Sequence, residues 1–185
     1  MSRLDEAEQI HPKSRKELRR WLVKNHESSP GVWLVSYTNA SGKPPLPYED
    51  TVLELLCFGW VDSQVKKIDN ERGAIYVAPR RKGGTWAATN KARVTLLIDE
   101  GLMQPAGLAV IERAKADGSW TILDPVEALE VPDDLAAVMR RRPDVAAHYE
   151  GLSKTRKKEV LWSLVSAKRA ETRAARLQKY VDSVE

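Results

Sequence analysis

Apolar residues first recur at a helical interval in Leu18, Trp21 and Leu22, which stand at i, i+3 and i+4 behind Ser14-Arg-Lys-Glu17, an S-x-x-E spacing that suits a capping box. The spacing predicts a helix that ends near residue 26 and turns this stripe inward. After Gly31 the pattern changes. Val32-Trp-Leu-Val-Ser-Tyr37 is rich in β-branched and aromatic residues and reads as a strand, closed by the turn-forming segment 39–45, Asn-Ala-Ser-Gly-Lys-Pro-Pro. Thr51-Val-Leu-Glu54 repeats the capping spacing and predicts a second helix from that point, through Leu53, Leu55, Leu56 and Cys57, with Gly59 placed to end it. Trp60 to Ile68 and Ala74 to Ala78 then read as a hairpin across the glycine-containing connection 69–73, and Pro79 stops it.

Helical spacing returns beyond residue 88. Thr89 or Asn90 caps a helix with Val94, Leu97 and Ile98 inward, and Pro105 opens another through Leu108, Ile111 and Ala114 to Gly118. Trp120 to Leu123 is expected to be a short extended piece. The remainder predicts short helices near Asp133 to Arg141 and after Pro143, then a longer capped run from Ser153 with a break within 166–172. The expected fold class is α+β: a small antiparallel sheet packed with helices over residues 1–125, followed by a helical C-terminal module over 126–185.

Composition narrows the classes. At 185 residues, with 42% hydrophobic and 30% charged, the chain has the make-up of a folded globular protein. No apolar run approaches the roughly 20 residues of a bilayer helix, so no transmembrane segment is expected. Acids occupy the N-terminus where a signal peptide carries bases, which points to the cytoplasm. Cys57 is the single cysteine, and His11, His26 and His148 show no ligand spacing, so neither a metal nor a cofactor is expected. The net charge of +4 conceals alternating blocks: residues 61–93 carry 8 basic against 3 acidic side chains, 94–139 carry 2 against 9, and 140–185 carry 12 against 6.

Candidate chemistry concentrates between residues 57 and 90. Cys57 falls in the last turn of a predicted helix, where the helix dipole opposes a thiolate, so it reads as a core residue rather than a nucleophile. Regular alternation would place Trp60, Asp62, Gln64 and Lys66 on one strand face, either solvated or forming the floor of a binding site. Arg80-Arg-Lys-Gly-Gly-Thr-Trp86 precedes a helix start, with glycines and three cations suited to an anion, although it does not match a nucleotide phosphate loop. The ligand-binding candidates are Trp60, Asp62, Arg80, Arg81, Trp86 and Asn90, and no catalytic constellation is complete. The basic run from Lys154 to Lys179 offers a nucleic-acid alternative, with Trp162 and Tyr180 as its sparse aromatics.

The segments LCFGWVDSQVKKID, YVAPRRKGGTWAATNKARVTLLIDEGLMQPAGLAVIERAKADGSW and SLVSAKRAETRAARLQKYV resemble the YdeI/OmpD-associated family, labelled bacteriocin-protection, through nearly the whole chain. The resemblance implies a signature of Gly59, Trp60, Asp62, Pro79, Arg80, Arg81, Trp86 and Asn90. It implies a stress-response role in protection against bacteriocins or cationic antimicrobial peptides, with any porin link indirect, and it supplies no catalytic residue. The leading expectation is a non-enzymatic cytoplasmic stress-protection or binding protein whose partner is a protein or a small anionic ligand. The alternatives are a small-molecule enzyme or anion-binding protein that uses the Arg80–Asn90 loop, and a nucleic-acid binder that uses the basic C-terminal helices.

Overall fold

Ser14 opens helix α1 (Arg15–Asn25) by accepting the Glu17 N–H on its hydroxyl at 3.3 Å. The Glu17 carboxylate takes the N–H of Lys13 at 2.8 Å instead of that of Ser14, so the reciprocal half of the capping box is displaced by one residue. The structure is a computed structural model that describes residues 6–184. It divides into two units, one ending with Thr89–Asp117 after the segment up to Gly84, the other made of Thr85–Ala88 and the chain from Gly118 onward.

In the first unit, α2 (Tyr48–Cys57) starts three residues before the predicted point. Pro47 sets the start, and Glu49 and Asp50 fill the first turn, where the helix dipole favours acids. Thr51 is therefore no cap; its hydroxyl donates to Pro47 O at 3.2 Å. Glu54, expected to be the capping acid, is only 1% exposed and accepts from Nε of both Arg15 and Arg19 at 2.7 Å. Two cations from α1 thus compensate a carboxylate taken out of water, and this clamps α1 to α2.

Strands β2 (Val32–Tyr37), β3 (Trp60–Lys67) and β4 (Arg72–Pro79) form the predicted hairpin and its neighbour, and β1 (Gln9–Ile10) adds to the edge in the order β1-β2-β4-β3. The β1–β2 pairing is parallel, so the sheet is mixed rather than purely antiparallel. A register shift between Asp62 and Val65 changes the expected face: Asp62 opposes Val77 and Val65 opposes Ile75, which sets Val65 on the Asp62 side and carries Lys66, opposite Ala74, to the other. Trp60 and Asp62 still share a side, but Lys66 leaves it. That side buries Val32, Leu34, Trp60 and Val77, while Trp33, Val35 and Ala74 build a smaller apolar cluster on the reverse.

Helix α3 (Ala88–Asp99) begins ahead of its expected caps, so Thr89 and Asn90 lie inside its first turn, and Ile98, expected inward, is 48% exposed; α4 (Pro105–Ala116) crosses the end of α2. The crossing requires Gly107, because a Cβ there would lie 2.3 Å from Cys57 O. In the second unit, residues 120–123 form turns rather than an extended piece, since the Thr121 N–H folds back onto Gly118 O at 3.3 Å. Helices α5 (Asp124–Glu127), α6 (Asp133–Arg141), α7 (Pro143–Gly151), α8 (Lys154–Val165) and α9 (Ala170–Asp182) surround Val126, Leu135, Tyr149, Leu161 and Leu164. Arg173 bridges α9 to α6 by donating to both carboxylate oxygens of Asp134, at 2.6 and 2.9 Å.

Glu54→Ala is expected to destabilise the protein by about 2 to 3 kcal/mol in urea denaturation. This lies at or below the roughly 3 to 5 kcal/mol of a fully buried pair, because the two guanidiniums retain some water. A loss under about 0.5 kcal/mol would show that the clamp contributes nothing. The Arg173 guanidinium holds the Asp134 carboxyl below its ordinary 3.8. A carboxyl that titrates lower when folded stabilises above pH 3.8, and this contribution is lost as pH falls through the folded value. Asp134→Asn should therefore lower stability by about 1 kcal/mol at neutral pH and flatten the acid limb of a pH-dependent unfolding series.

Candidate functional site

Gly59 determines how the candidate residues are presented. It adopts φ +72°, and a Cβ at this point would meet Val110 Cγ2 at 2.6 Å and Ala106 O at 3.3 Å. Glycine alone turns the chain there from α2 into β3 without strain or collision. Gly59 O then accepts the Arg80 N–H at 2.9 Å, which fixes the residue after β4 beside the start of β3.

Trp60 points inward from this turn. It is 1% exposed, its indole N–H donates to His26 O at 3.3 Å, and it meets Trp21 edge-on with ring centroids 5.7 Å apart. The ring thus ties β3 to the end of α1 as core. Asp62, two residues on, is half-buried and accepts from the Tyr48 hydroxyl at 2.8 Å. Burial first, then this bond, raises the Tyr48 hydroxyl above its ordinary value, so it stays a protonated donor.

Arg80 is buried at 9% exposure, and that burial pushes its guanidinium down to about 10, opposed by the nearby Asp62 charge. It remains a cation at neutral pH. Its backbone O accepts from Arg113 of α4 at 3.3 Å. Asn90 and Arg93 come from α3: Arg93 donates to Asn90 Oδ1 at 3.0 Å and forks onto both oxygens of Glu49 at 2.7 Å, which holds the Glu49 carboxyl below its ordinary value. The structure thus gathers Asp62, Arg80 and Asn90 in one charged neighbourhood together with Tyr48, Glu49 and Arg93.

Sequence reasoning missed those last three residues. Tyr48 and Glu49 precede the predicted start of α2, and Arg93 lies one turn of helix beyond Asn90 on the same side, a spacing that held the only available signal. Arg81 is exposed, and its carbonyl accepts the Gly84 N–H at 3.2 Å in a turn. Trp86 belongs to the second unit, where it is 1% exposed and packs against Trp120 with ring centroids 4.9 Å apart and the planes tilted by 47°. Cys57 is fully buried, and desolvation followed by the Glu54 charge pushes its thiol up to about 11, which leaves it protonated. Among the described residues, no group of three or more His, Cys, Asp or Glu side chains is placed to hold a metal ion, and no helix is long and apolar enough to cross a membrane.

Fold and site define an α+β protein with a polar cluster on its sheet unit and a helical second unit. Residues 10–110 match the family described as a domain of unknown function, DUF8412, and the chain belongs to that family. Residues 128–185, in the second unit, match the family described as Bacteriocin-protection, YdeI or OmpD-Associated. The expected resemblance is thereby found over the C-terminal part, while the Gly59 to Asn90 signature lies in the segment of the other family. Neither a curated protein nor a solved structure matches the chain.

Gly59→Ala is expected to cost about 2 kcal/mol through its left-handed backbone and the collision with Val110. Adding Val110→Ala should recover the steric share alone, and calorimetric midpoints of the two variants check it. Equal stability of Gly59→Ala and the natural protein would refute the constraint.

Proposed function

We propose that the protein is a non-enzymatic, cytoplasmic stress-protection protein that acts by binding and protects the cell against bacteriocins or cationic antimicrobial peptides. The observation that carries this reading is the match of residues 128–185 to the bacteriocin-protection-associated family. The chemistry of the first unit supports binding over turnover: the one thiol is held protonated, and Glu49, Asp62 and Arg93 are each engaged by a neighbouring side chain. Asp62 and Asn90, held by Tyr48 and Arg93, form the recognition surface in this reading, with the buried Arg80 supplying charge near Asp62 and the exposed Arg81 next to it in the chain.

The nucleic-acid alternative receives less support from the second unit. Several of its cations are turned onto partners within that unit: Arg156 onto Glu159, Lys157 onto Glu150, Arg173 onto Asp134 and Arg176 onto Ser163 O. Each such contact withdraws positive charge that phosphates would otherwise neutralise.

Deletion of the gene in the source bacterium is expected to lower the minimum inhibitory concentration of several cationic peptides and bacteriocins several-fold. Complementation with the natural chain should restore it and Asp62→Asn should restore it less. Unchanged survival of the deletion strain across the panel would sink the protective role. Fractionation that recovered the chain outside the cytosol would sink its placement.

A further inference from the structure

The segment between β2 and α2 does not close over the sheet. Leu34 of β2 and Ile75 of β4 face each other across the ladder, Val65 joins them from β3, and Leu46, Tyr48 and Thr51 stand on the opposite wall. Between these walls lies a cleft of about 520 Å³, within the roughly 300 to 1,000 Å³ of small-molecule sites. The Leu46 N–H donates to Ser36 Oγ at 3.0 Å and pins the returning loop to the end of β2, and Pro45 and Pro47 stiffen it on either side. The wall is built rather than left over from a mobile loop.

Three hydroxyls of the lining are engaged within the protein. Ser36 Oγ is engaged by Leu46, Thr51 Oγ1 donates to Pro47 O at 3.2 Å, and the Tyr48 hydroxyl donates to Asp62. Thr38 Oγ1 is shielded from solvent and has no hydrogen-bond partner among the described residues. Such a group costs about 1 to 3 kcal/mol, which a ligand recovers by drawing the Thr38 hydroxyl toward the cleft that this residue lines and supplying the missing bond. Charge is handled in the opposite way. Lys66 is the charged residue of the lining, but its ammonium lies 3.9 Å from the Trp33 ring centroid, on the reverse side of the sheet. An ionised ligand would lose water in the cleft without gaining a counter-charge.

We propose that this cleft binds a neutral, largely apolar small molecule that places one hydroxyl or N–H group against Thr38. The site is separate from the protective role proposed above and stands or falls without it, since it is read on purified protein rather than on survival.

N-phenyl-1-naphthylamine has this chemistry, with two aromatic groups and a single N–H, and its fluorescence rises in apolar surroundings. Titrated against the full chain, it is expected to bind saturably at one site. Val65 lines the cleft yet is 77% exposed, so Val65→Trp fills the mouth without disturbing the core and should weaken binding roughly tenfold at an unchanged melting temperature. Thr38→Val keeps the shape and should weaken binding roughly fivefold through loss of the hydroxyl. The anion 1-naphthoate should bind far more weakly than the neutral probe. No saturable binding, equal affinity in Val65→Trp, or equal affinity for 1-naphthoate overturns the site, and an unchanged Thr38→Val overturns the role of the hydroxyl.

Discussion

The carboxylate of Glu54, buried in the apolar side of α2 and held by two arginines of α1, is the constraint on which the sheet unit depends. Arg19 does more than neutralise it: the same guanidinium donates to Leu102 O at 3.0 Å and to Cys57 Sγ at 3.4 Å. One cation therefore joins α1, the end of α2 and the connection from α3 to α4. A buried charge without these partners would be untenable, and with them it specifies a single mutual placement of the three segments. Fixing the end of α2 fixes Gly59, and Gly59 launches the strand that carries Trp60 and Asp62.

From that launch point the residues divide by role within a few positions. Trp60 faces the core and returns to α1 through His26 O, whereas Asp62 reaches the surface and meets Tyr48. The bulge that follows reorients the rest of β3 and brings Val65 to the Asp62 side while removing Lys66 from it. A strand of regular alternation would have placed an ammonium where the cleft now has an apolar wall. The bulge thus separates a charged neighbourhood around Asp62, Arg80 and Arg93 from an uncharged one between Leu34 and Leu46.

The parts legible in the sequence were those with a local physical signal. Ser14 and Ser153 announced helix starts and Pro105 opened α4; the hairpin of β3 and β4 was also expected, but it turns over residues 68–71 on the Asp69 carboxylate, while Gly73 pairs within β4. The start of α2 was misplaced because Thr51 and Glu54 mimic a capping box, while the actual roles of the threonine hydroxyl and the carboxylate are set by Pro47 and by α1, which no local window contains. β1 spans two residues and has no periodicity to detect. The bulge was likewise invisible, since it is a property of pairing between β3 and β4. Of the candidate site, the type of residue at Asp62, Arg80 and Asn90 could be picked out, but its completion by Tyr48, Glu49 and Arg93 required the tertiary approach of α2 to α3.

The two family matches divide much as the units do: residues 10–110 belong to the first apart from 85–88, and 128–185 lie within the second. The segment whose family description names a role is thus not the one that holds Asp62, Arg80 and Asn90. The description that mentions bacteriocin protection attaches to helices α6 to α9, whose core is apolar and whose salt bridges hold helices together, whereas the signature residues and the cleft sit in a domain whose description assigns no activity. Protection cannot therefore be transferred to the cleft by association, nor can the uncharged chemistry of the cleft argue against protection. The physical features differ in kind: the helical unit pairs charges between its helices through Arg173 and Asp134 and through Lys157 and Glu150, while the cleft of the sheet unit is walled by apolar side chains. Whatever each unit does is therefore to be argued from its own residues, since neither the family match of one nor the chemistry of the other carries across.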